Sequence, residues 1–410
     1  MRTSVADGGA PAHLIERLRV LVSLETPSGD IGALRSGIET VAAMTRDSLG
    51  REPRILELAD RVPALLSEAA LRPSVLLLCH LDTVWPRGTL AGFPFIEDGE
   101  RARGPGVFDM KAGIVIGLDA AGQAAARDHV TLLVTCDEEV GSGASRGLVE
   151  EVARMCAAVL VLEGSGPAGA LKDARKGVSI YDLRVEGRAA HAGVDPEHGV
   201  NATIELAHLA LELAGLADVE LGTTVTPTVA ASGTTANTIP DAARLAVDVR
   251  AWSAAELSRI DAAIRARVPA VAGATVTVLG GPNRLPLERA HSVSLLAAAR
   301  EVAAELGHGP LAACGVGGGS DGNLTAALGI PTLDGLGAIG GGGHTPAEWI
   351  DVASLASRAA LVAGLVARIP CHLGRLKGLQ LAYSENYRTK EFYGQLQRDV
   401  FGSISISFLF

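Results

Sequence analysis

Three features of the sequence predict an α/β protein, a mixed sheet flanked by helices with an inserted α+β domain. Short unbroken apolar runs at 75–79, 130–136 and 158–162 are separated by stretches of helical period. Such runs read as strands buried on both faces. Each run exits into residues that can bind a metal: His80, Glu138-Glu139 and Glu163. Near residue 178 the strands turn alternating in character (Val178, Ile180, Leu183, Val185), in the order strand-helix-strand-strand-helix-strand. That is an α+β order, with antiparallel strands and helices on one face.

Leu14, Leu18, Leu21 and Leu24 predict a helix over 11–23, ended by Glu-Thr-Pro-Ser-Gly-Asp. A second helix follows over 32–49, then strands over 53–58 and 74–79. Residues 83–106, rich in Gly, Pro and aromatic residues, read as one long loop of the kind that usually carries function. Gly104-Pro-Gly-Val-Phe-Asp109 leads into a helix over 111–126, followed by a strand, a helix over 145–155 and another strand. The inserted part has strands at 177–185, 223–230, 243–249 and 274–279, with helices at 199–214 and 254–267. Beyond it come a helix over 291–306, the glycine-rich loop 315–323, a short strand over 331–336, a second glycine run ending in His344, and a helix over 350–368.

A chain of 410 residues exceeds one comfortable core. The expected division is 1–177 and 285–370 as two parts of one catalytic domain, 178–284 as the insertion, and 371–410 as a tail. The tail holds most of the chain's Phe and Tyr, and its last ten residues alternate like an edge strand. A frame change or fused segment would produce such a shift.

A net charge of −10 implies no broad basic surface for nucleic acid. No run of about 18 apolar residues predicts a membrane span. The five cysteines are scattered without any C-x-x-C, and no apolar leader follows Met1. This pattern suits a reducing, cytoplasmic setting.

His80 and Asp82 point the same way along a strand, because side chains alternate. A metal-binding imidazole commonly has its second nitrogen held by such a carboxylate. Asp109 alone reads equally well as a helix N-cap. The adjacent carboxylates of Asp137, Glu138 and Glu139 repel one another unless a cation or bulk solvent offsets the cost. Gly335-Leu-Gly-Ala-Ile-Gly340 has the spacing of a dinucleotide loop but no helix after it. Its simpler use is close backbone approach. Ser320 lacks a nucleophile elbow and reads as loop structure. Two His and several carboxylates suit a two-metal hydrolytic site, with zinc favoured and cobalt or manganese as alternatives.

The segments CHLDTVWPRGT, GPGVFDMKAG, TCDEEVGS, LEGS, GRAAHAG, ANTIPDAARLAVDVR, GGGSDGN and GGGGHTPAEW resemble the M20-type metallopeptidases, in particular their glutamate carboxypeptidase branch. The resemblance spans about residues 12–368. It implies a zinc-exopeptidase-type sheet with a ferredoxin-like lid and dimerisation domain, hence a homodimer. It implies two zinc ions, with His80 and Glu163 on one, Glu139 and His344 on the other, and Asp109 bridging. Asp82 would orient His80. Glu138 would be the general base, taking a proton from the attacking water. His191 would support the oxyanion, often across the dimer, and Asn237 and Arg250 would hold the substrate's α-carboxylate. Arg284 and Lys172 are candidates for a second carboxylate, and the loose match at Lys172 departs from the glutamate-specific pattern. The implied substrate is a small peptide or N-acyl amino acid. An N-acyl-amino-acid deacylase and a non-catalytic homologue are the alternatives.

Overall fold

The apolar runs become the centre of a six-stranded sheet. The computed structural model describes residues 11–123 and 125–384. Two helices, α1 (Ala12–Ser23) and α2 (Ile31–Leu49), precede the hairpin β1 (Arg54–Glu57) and β2 (Pro63–Ser67). Then come β3 (Val75–His80), β4 (Ile96–Glu97), β5 (Arg101–Arg103), α3 (Ala112–Gly122), β6 (Val130–Thr135), α4 (Arg146–Arg154) and β7 (Ala158–Val161). The sheet has the order β1-β2-β6-β3-β7-β16, where β16 is Thr332–Leu333. The strands β6, β3, β7 and β16 are parallel, and β1-β2 adds an antiparallel edge.

Period-two alternation sorts the apolar runs onto two faces. Val75, Leu77 and Cys79 join a core with α1, α2 and α3, whereas Leu76 and Leu78 join one with α4. Every residue of β3, β6 and β7 is buried. α3 packs against this sheet through glycine. A Cβ on Gly113 would lie 2.0 Å from the Leu162 carbonyl oxygen. Gly113→Ala is therefore expected to destabilise the protein by about 1–3 kcal/mol, read as a lower urea midpoint at unchanged slope.

The second sheet has its own core. Its elements are β9 (Gly177–Glu186), α5 (Ala202–Ala214), β11 (Thr224–Ser232), β13 (Ala242–Ala251), α6 (Ala254–Arg265) and β14 (Thr275–Arg284). Its order is β11-β13-β9-β14, antiparallel throughout, as in a ferredoxin-like unit. Tyr181, Leu183 and Val185 pack under α5 and α6, and Ile180 on the other face is exposed. A two-residue pairing of β10 (Ala190–His191) with β12 (Thr238–Ile239) lies beyond the far end of β9.

The remaining elements are β8 (Leu171–Arg175), α7 (Val293–Glu305), β15 (Ala313–Val316), α8 (Asp321–Ala326), β17 (Gly340–Gly341), β18 (Trp349–Asp351) and α9 (Ser354–Ser384). Here the structure corrects several expectations. The stretch between 58 and 74 holds β2. The long loop contains β4 and β5, which pair with one another and, through β5, with β18. The glycine-rich stretch after 312 opens as β15, parallel to β8. The last helix starts later than expected because residues 349–351 form β18, and it runs through Pro370 to Ser384. Beyond Pro370, Leu, Arg, Lys and Gln are strong helix formers. The edge strand expected at the chain's end lies outside the described residues. Among the described residues, no helix is long and apolar enough to cross a membrane.

Candidate metal centre

Parallel α/β sheets gather ligands beyond the carboxyl ends of their strands. Here β3 and β6 are in register from Val75↔Val130 to His80↔Thr135, and β7 starts level with Val75. Their exits are therefore level. His80 ends β3, Asp137-Glu138-Glu139 leave β6, and Glu163 follows β7. Asp109 enters on the turn before α3. It does not cap that helix, which starts at Ala112. His344 enters on the turn before β18, in a left-handed conformation (φ 62°) that few non-glycine residues adopt.

These side chains meet. His80 Nε2 lies 3.3 Å from Asp109 Oδ1 and 3.4 Å from Glu163 Oε1. His344 Nε2 lies 3.3 Å from Asp109 Oδ2 and 3.1 Å from Glu139 Oε2. Asp109 thus presents one oxygen to each imidazole. Ligand-capable atoms of His80, Glu138 and Glu163 all lie within 4.8 Å of one another, as do those of His80, Asp109 and Glu139. Glu139 Oε1 is buried without a hydrogen-bond partner among the described residues. An orphaned buried carboxylate oxygen is costly. Divalent cations that accept imidazole and carboxylate together would remove that cost, so the donor set fits them.

Asp82 is fully buried beneath this cluster. Its carboxylate accepts the amides of Glu138 and Glu139, each at 3.2 Å, and the Ser28 hydroxyl at 2.8 Å. His80 Nδ1 lies 3.0 Å from the Asp82 main-chain oxygen and 3.4 Å from its carboxylate. One residue therefore meets the imidazole and ties down the turn carrying both glutamates.

The charges are strongly perturbed. Burial works against a charged His80, yet hydrogen bonds to Asp109, Asp82 and Glu163 raise its pKa well above the ordinary value. Hydrogen bonds to Asp109 and Glu139 raise His344 to about 10. Burial would raise Asp109, but the two imidazoles hold it below the usual carboxylate range. Burial raises Glu139, and raises Glu138 to about 8.

Arg284, expected at a substrate carboxylate, instead donates to Glu138 Oε1 at 2.6 Å and to the Ser142 hydroxyl at 2.6 Å, and lies 3.4 Å from Asp321. Two carboxylates of the chain itself already engage this buried guanidinium. Lys172 lies 4.0 Å from Glu163. Arg250 is forked onto Asp248 of its own strand. His191 and Asn237 are neighbours, because the Ala192 amide donates to the Asn237 carbonyl at 2.9 Å. They lie beyond the end of β9 opposite to Arg250, whose register partner is Val178. The structure thus brings the strand-exit residues together, and leaves His191 and Asn237 apart from Arg250.

Sequence reasoning missed three buried charges around the cluster. Arg175 pairs with Asp334 at 2.7 Å and lies 3.3 Å from Glu163. Asp321 accepts from Ser142 and faces Arg284. Glu348 accepts amides from the Asp109 turn. Asp321 and Glu348 lie in motifs given above, which was the available signal for them, and nothing local marks Arg175. Ser320 is the N-cap of α8, in a capping box with Asn323, which accords with its reading as loop structure.

The model of "Peptidase family M20/M25/M40" matches residues 76–368. Carboxypeptidase G2 of Pseudomonas sp. (strain RS-16) is 30% identical over 371 residues, covering 86% of this chain and 88% of that protein. Among solved structures, aminopeptidase PepT of Bacillus cereus superposes with a TM-score of 0.73 at 21% identity, over 88% of this chain and 100% of that one. The M20 family metallo-carboxypeptidase Sso-CP2 of Sulfolobus solfataricus gives 0.67 at 16%, over 88% and 100%. The YXEP protein of Bacillus subtilis, a dinuclear metal binding peptidase from the M20 family, gives 0.62 at 17%, over 87% and 97%. These structures share the mixed sheet and its flanking helices. Together with the family match and the carboxypeptidase relative, they establish that the chain is a metallopeptidase-type hydrolase belonging to peptidase family M20/M25/M40.

Proposed function

We propose that the chain is a cytoplasmic di-zinc carboxypeptidase that cleaves an amide bond next to a free α-carboxylate. The observation that carries this is Asp109, with one oxygen toward His80 and the other toward His344, beside a glutamate raised to about 8. His80 and Glu163 would hold one zinc, Glu139 and His344 the other, with Asp109 shared and cobalt or manganese as substitutes. Bound there, the pair would supply Lewis acidity, lowering the pKa of the attacking water and neutralising the oxyanion. Asp82 keeps the imidazole of His80 oriented. Glu138 takes a proton from water and returns it to the leaving amine nitrogen. His191 supports the oxyanion, and Asn237 and Arg250 hold the α-carboxylate, for which a guanidinium fork is suited.

The placement of those last residues supports a homodimer. The ten residues of β9 span roughly 30 Å, and His191 and Arg250 lie toward opposite ends of that length. A second copy delivering His191 and Asn237 together removes the conflict. Residues 1–177 and 285–370 then form the catalytic domain, and 178–284 the lid and dimerisation domain. The four described cysteines are free, which suits the cytoplasm.

Carboxypeptidase G2 suggests release of C-terminal glutamate. Arg284 and Lys172, the two cations considered for the glutamate side chain, are engaged by Glu138 and approached by Glu163. We therefore read the accepted C-terminal residue more broadly. The test is a panel of N-acyl amino acids and dipeptides, folate-like acyl-glutamates included, assayed after chelation and after return of zinc, cobalt or manganese. Chelation should abolish hydrolysis, and amidating the substrate's α-carboxylate should lower kcat/KM by about a hundredfold or more. Equal cleavage of capped and free substrates would reject the carboxypeptidase reading, and turnover on acyl groups alone would favour the deacylase.

A further inference from the structure

Glu348 is fully buried. Its charge is met by four N–H groups. Oε1 accepts the amides of Phe108 at 2.8 Å and Asp109 at 3.0 Å. Oε2 accepts the amide of Gly106 at 2.9 Å and the indole N–H of Trp85 at 3.0 Å. Burial raises the pKa of Glu348 and the four N–H donors oppose that rise, and a carboxylate that accepts several donors fixes them in place. Three segments therefore converge on one side chain. Trp85 follows His80 and Asp82 out of β3. Gly106 to Asp109 form the turn that delivers Asp109. Glu348 itself lies four residues beyond His344, in a turn closed by the Thr345 amide on Gly342 and the Glu348 amide on Thr345, both at 3.0 Å.

We propose that Glu348 is a positioning residue that sets the Asp109 carboxylate between His80 and His344. The inference rests on the reading of Asp109 as the group shared by two metals. The geometry is direct. Glu348 holds the main-chain nitrogen of Asp109, while the side-chain oxygens of Asp109 lie 3.3 Å from each imidazole. The same carboxylate is anchored near His344 in sequence and bound to Trp85 near His80. A displacement of either wall is thus passed to the shared carboxylate.

Glu348→Gln is nearly isosteric. Either amide orientation sets an NH2 against two N–H donors, so half of the clasp is lost. The proposal predicts a folded variant whose second cobalt equivalent binds about tenfold or more weakly, with an altered cobalt visible spectrum. It also predicts a fall in kcat at little-changed KM. The deciding measurement is the gain in melting temperature when cobalt is added to metal-free protein. A merely structural carboxylate would lower the metal-free and cobalt-loaded melting temperatures equally. A positioning carboxylate shrinks the gain itself. Wild-type protein that binds two cobalt ions, with Glu348→Gln showing the same affinity, spectrum and melting gain, would overturn the clasp alone. Wild-type protein that binds fewer than two would remove the two-metal reading and the proposal with it. Should Glu348→Gln fail to fold, Trp85→Phe removes one donor and leaves the backbone untouched. A reduced cobalt melting gain in that variant supports the proposal, and an unchanged gain overturns it.

Discussion

Glu138→Gln is expected to lower kcat by about 10²–10⁴-fold while the protein keeps its metal content and its KM within a few-fold. The argument starts from placement. Glu138 leaves β6 beside His80 and Glu163, its carboxylate is 10% exposed, and burial raises it to about 8. A carboxylate with its pKa near the working pH can accept a proton and then release it, which an ordinary glutamate does poorly. Glutamine keeps the size and one acceptor oxygen and cannot take the proton. The Asp82 contacts to the amides of Glu138 and Glu139 are main-chain bonds and survive the change. Steady-state kinetics together with metal analysis of the same preparation check it. Near-normal kcat would show that the base is another group, and loss of metal would show that Glu138 is a ligand.

What the sequence revealed of this molecule, and what it hid, follows burial. β3, β6 and β7 were legible because strands covered on both faces leave unbroken apolar runs. The second sheet was legible because its one exposed face imposes alternation. β2 was not, because Pro63 opens it and Ser67 closes it, and both read locally as turn residues. β8 was hidden by Lys172, Asp173 and Arg175, whose charges suggest solvent, although Lys172 and Arg175 meet Glu163 and Asp334 inside the protein and the buried Asp173 meets Arg289 at the surface. The strand-exit His and carboxylates stood out because acidic residues after apolar runs are conspicuous. Glu348 and Asp321 did not, since a lone carboxylate in a glycine-rich stretch looks solvated until the fold shows which amides and guanidinium reach it. The engagement of Arg284 was equally unreadable. Nothing local to Pro-Asn-Arg-Leu-Pro says that the end of β14 touches the turn after β6.

Arg284→Met is expected to cost about 3–5 kcal/mol of stability above about pH 8, where Glu138 of the wild type is ionised. Its guanidinium is 7% exposed and is shared by Glu138 and Asp321. Methionine fills a similar volume and leaves two buried carboxylates facing each other without a cation. Burial already raises both pKa values and Arg284 opposes that rise, so its removal raises them further. The pH dependence follows by sign. A carboxylate whose folded pKa lies above its unfolded value binds more protons in the native state, so stability falls as pH rises between the two values. For Glu138 the window opens near the ordinary 4.5 and extends to about 8 in the wild type, and to a higher pH in the variant. Wild type and variant lose this contribution together up to about pH 8, so the Glu138 part of the deficit should be small below that pH and grow above it, toward the variant's higher value. Urea unfolding of metal-free wild type and variant at several pH values measures it. The same substitution should move the acid limb of kcat/KM upward by about one to three pH units, since the base must lose its proton without a neighbouring cation. If Arg284 instead serves the substrate, the variant will unfold like the wild type at every pH. It will then lose only binding of acyl-glutamates, as a raised KM at unchanged kcat.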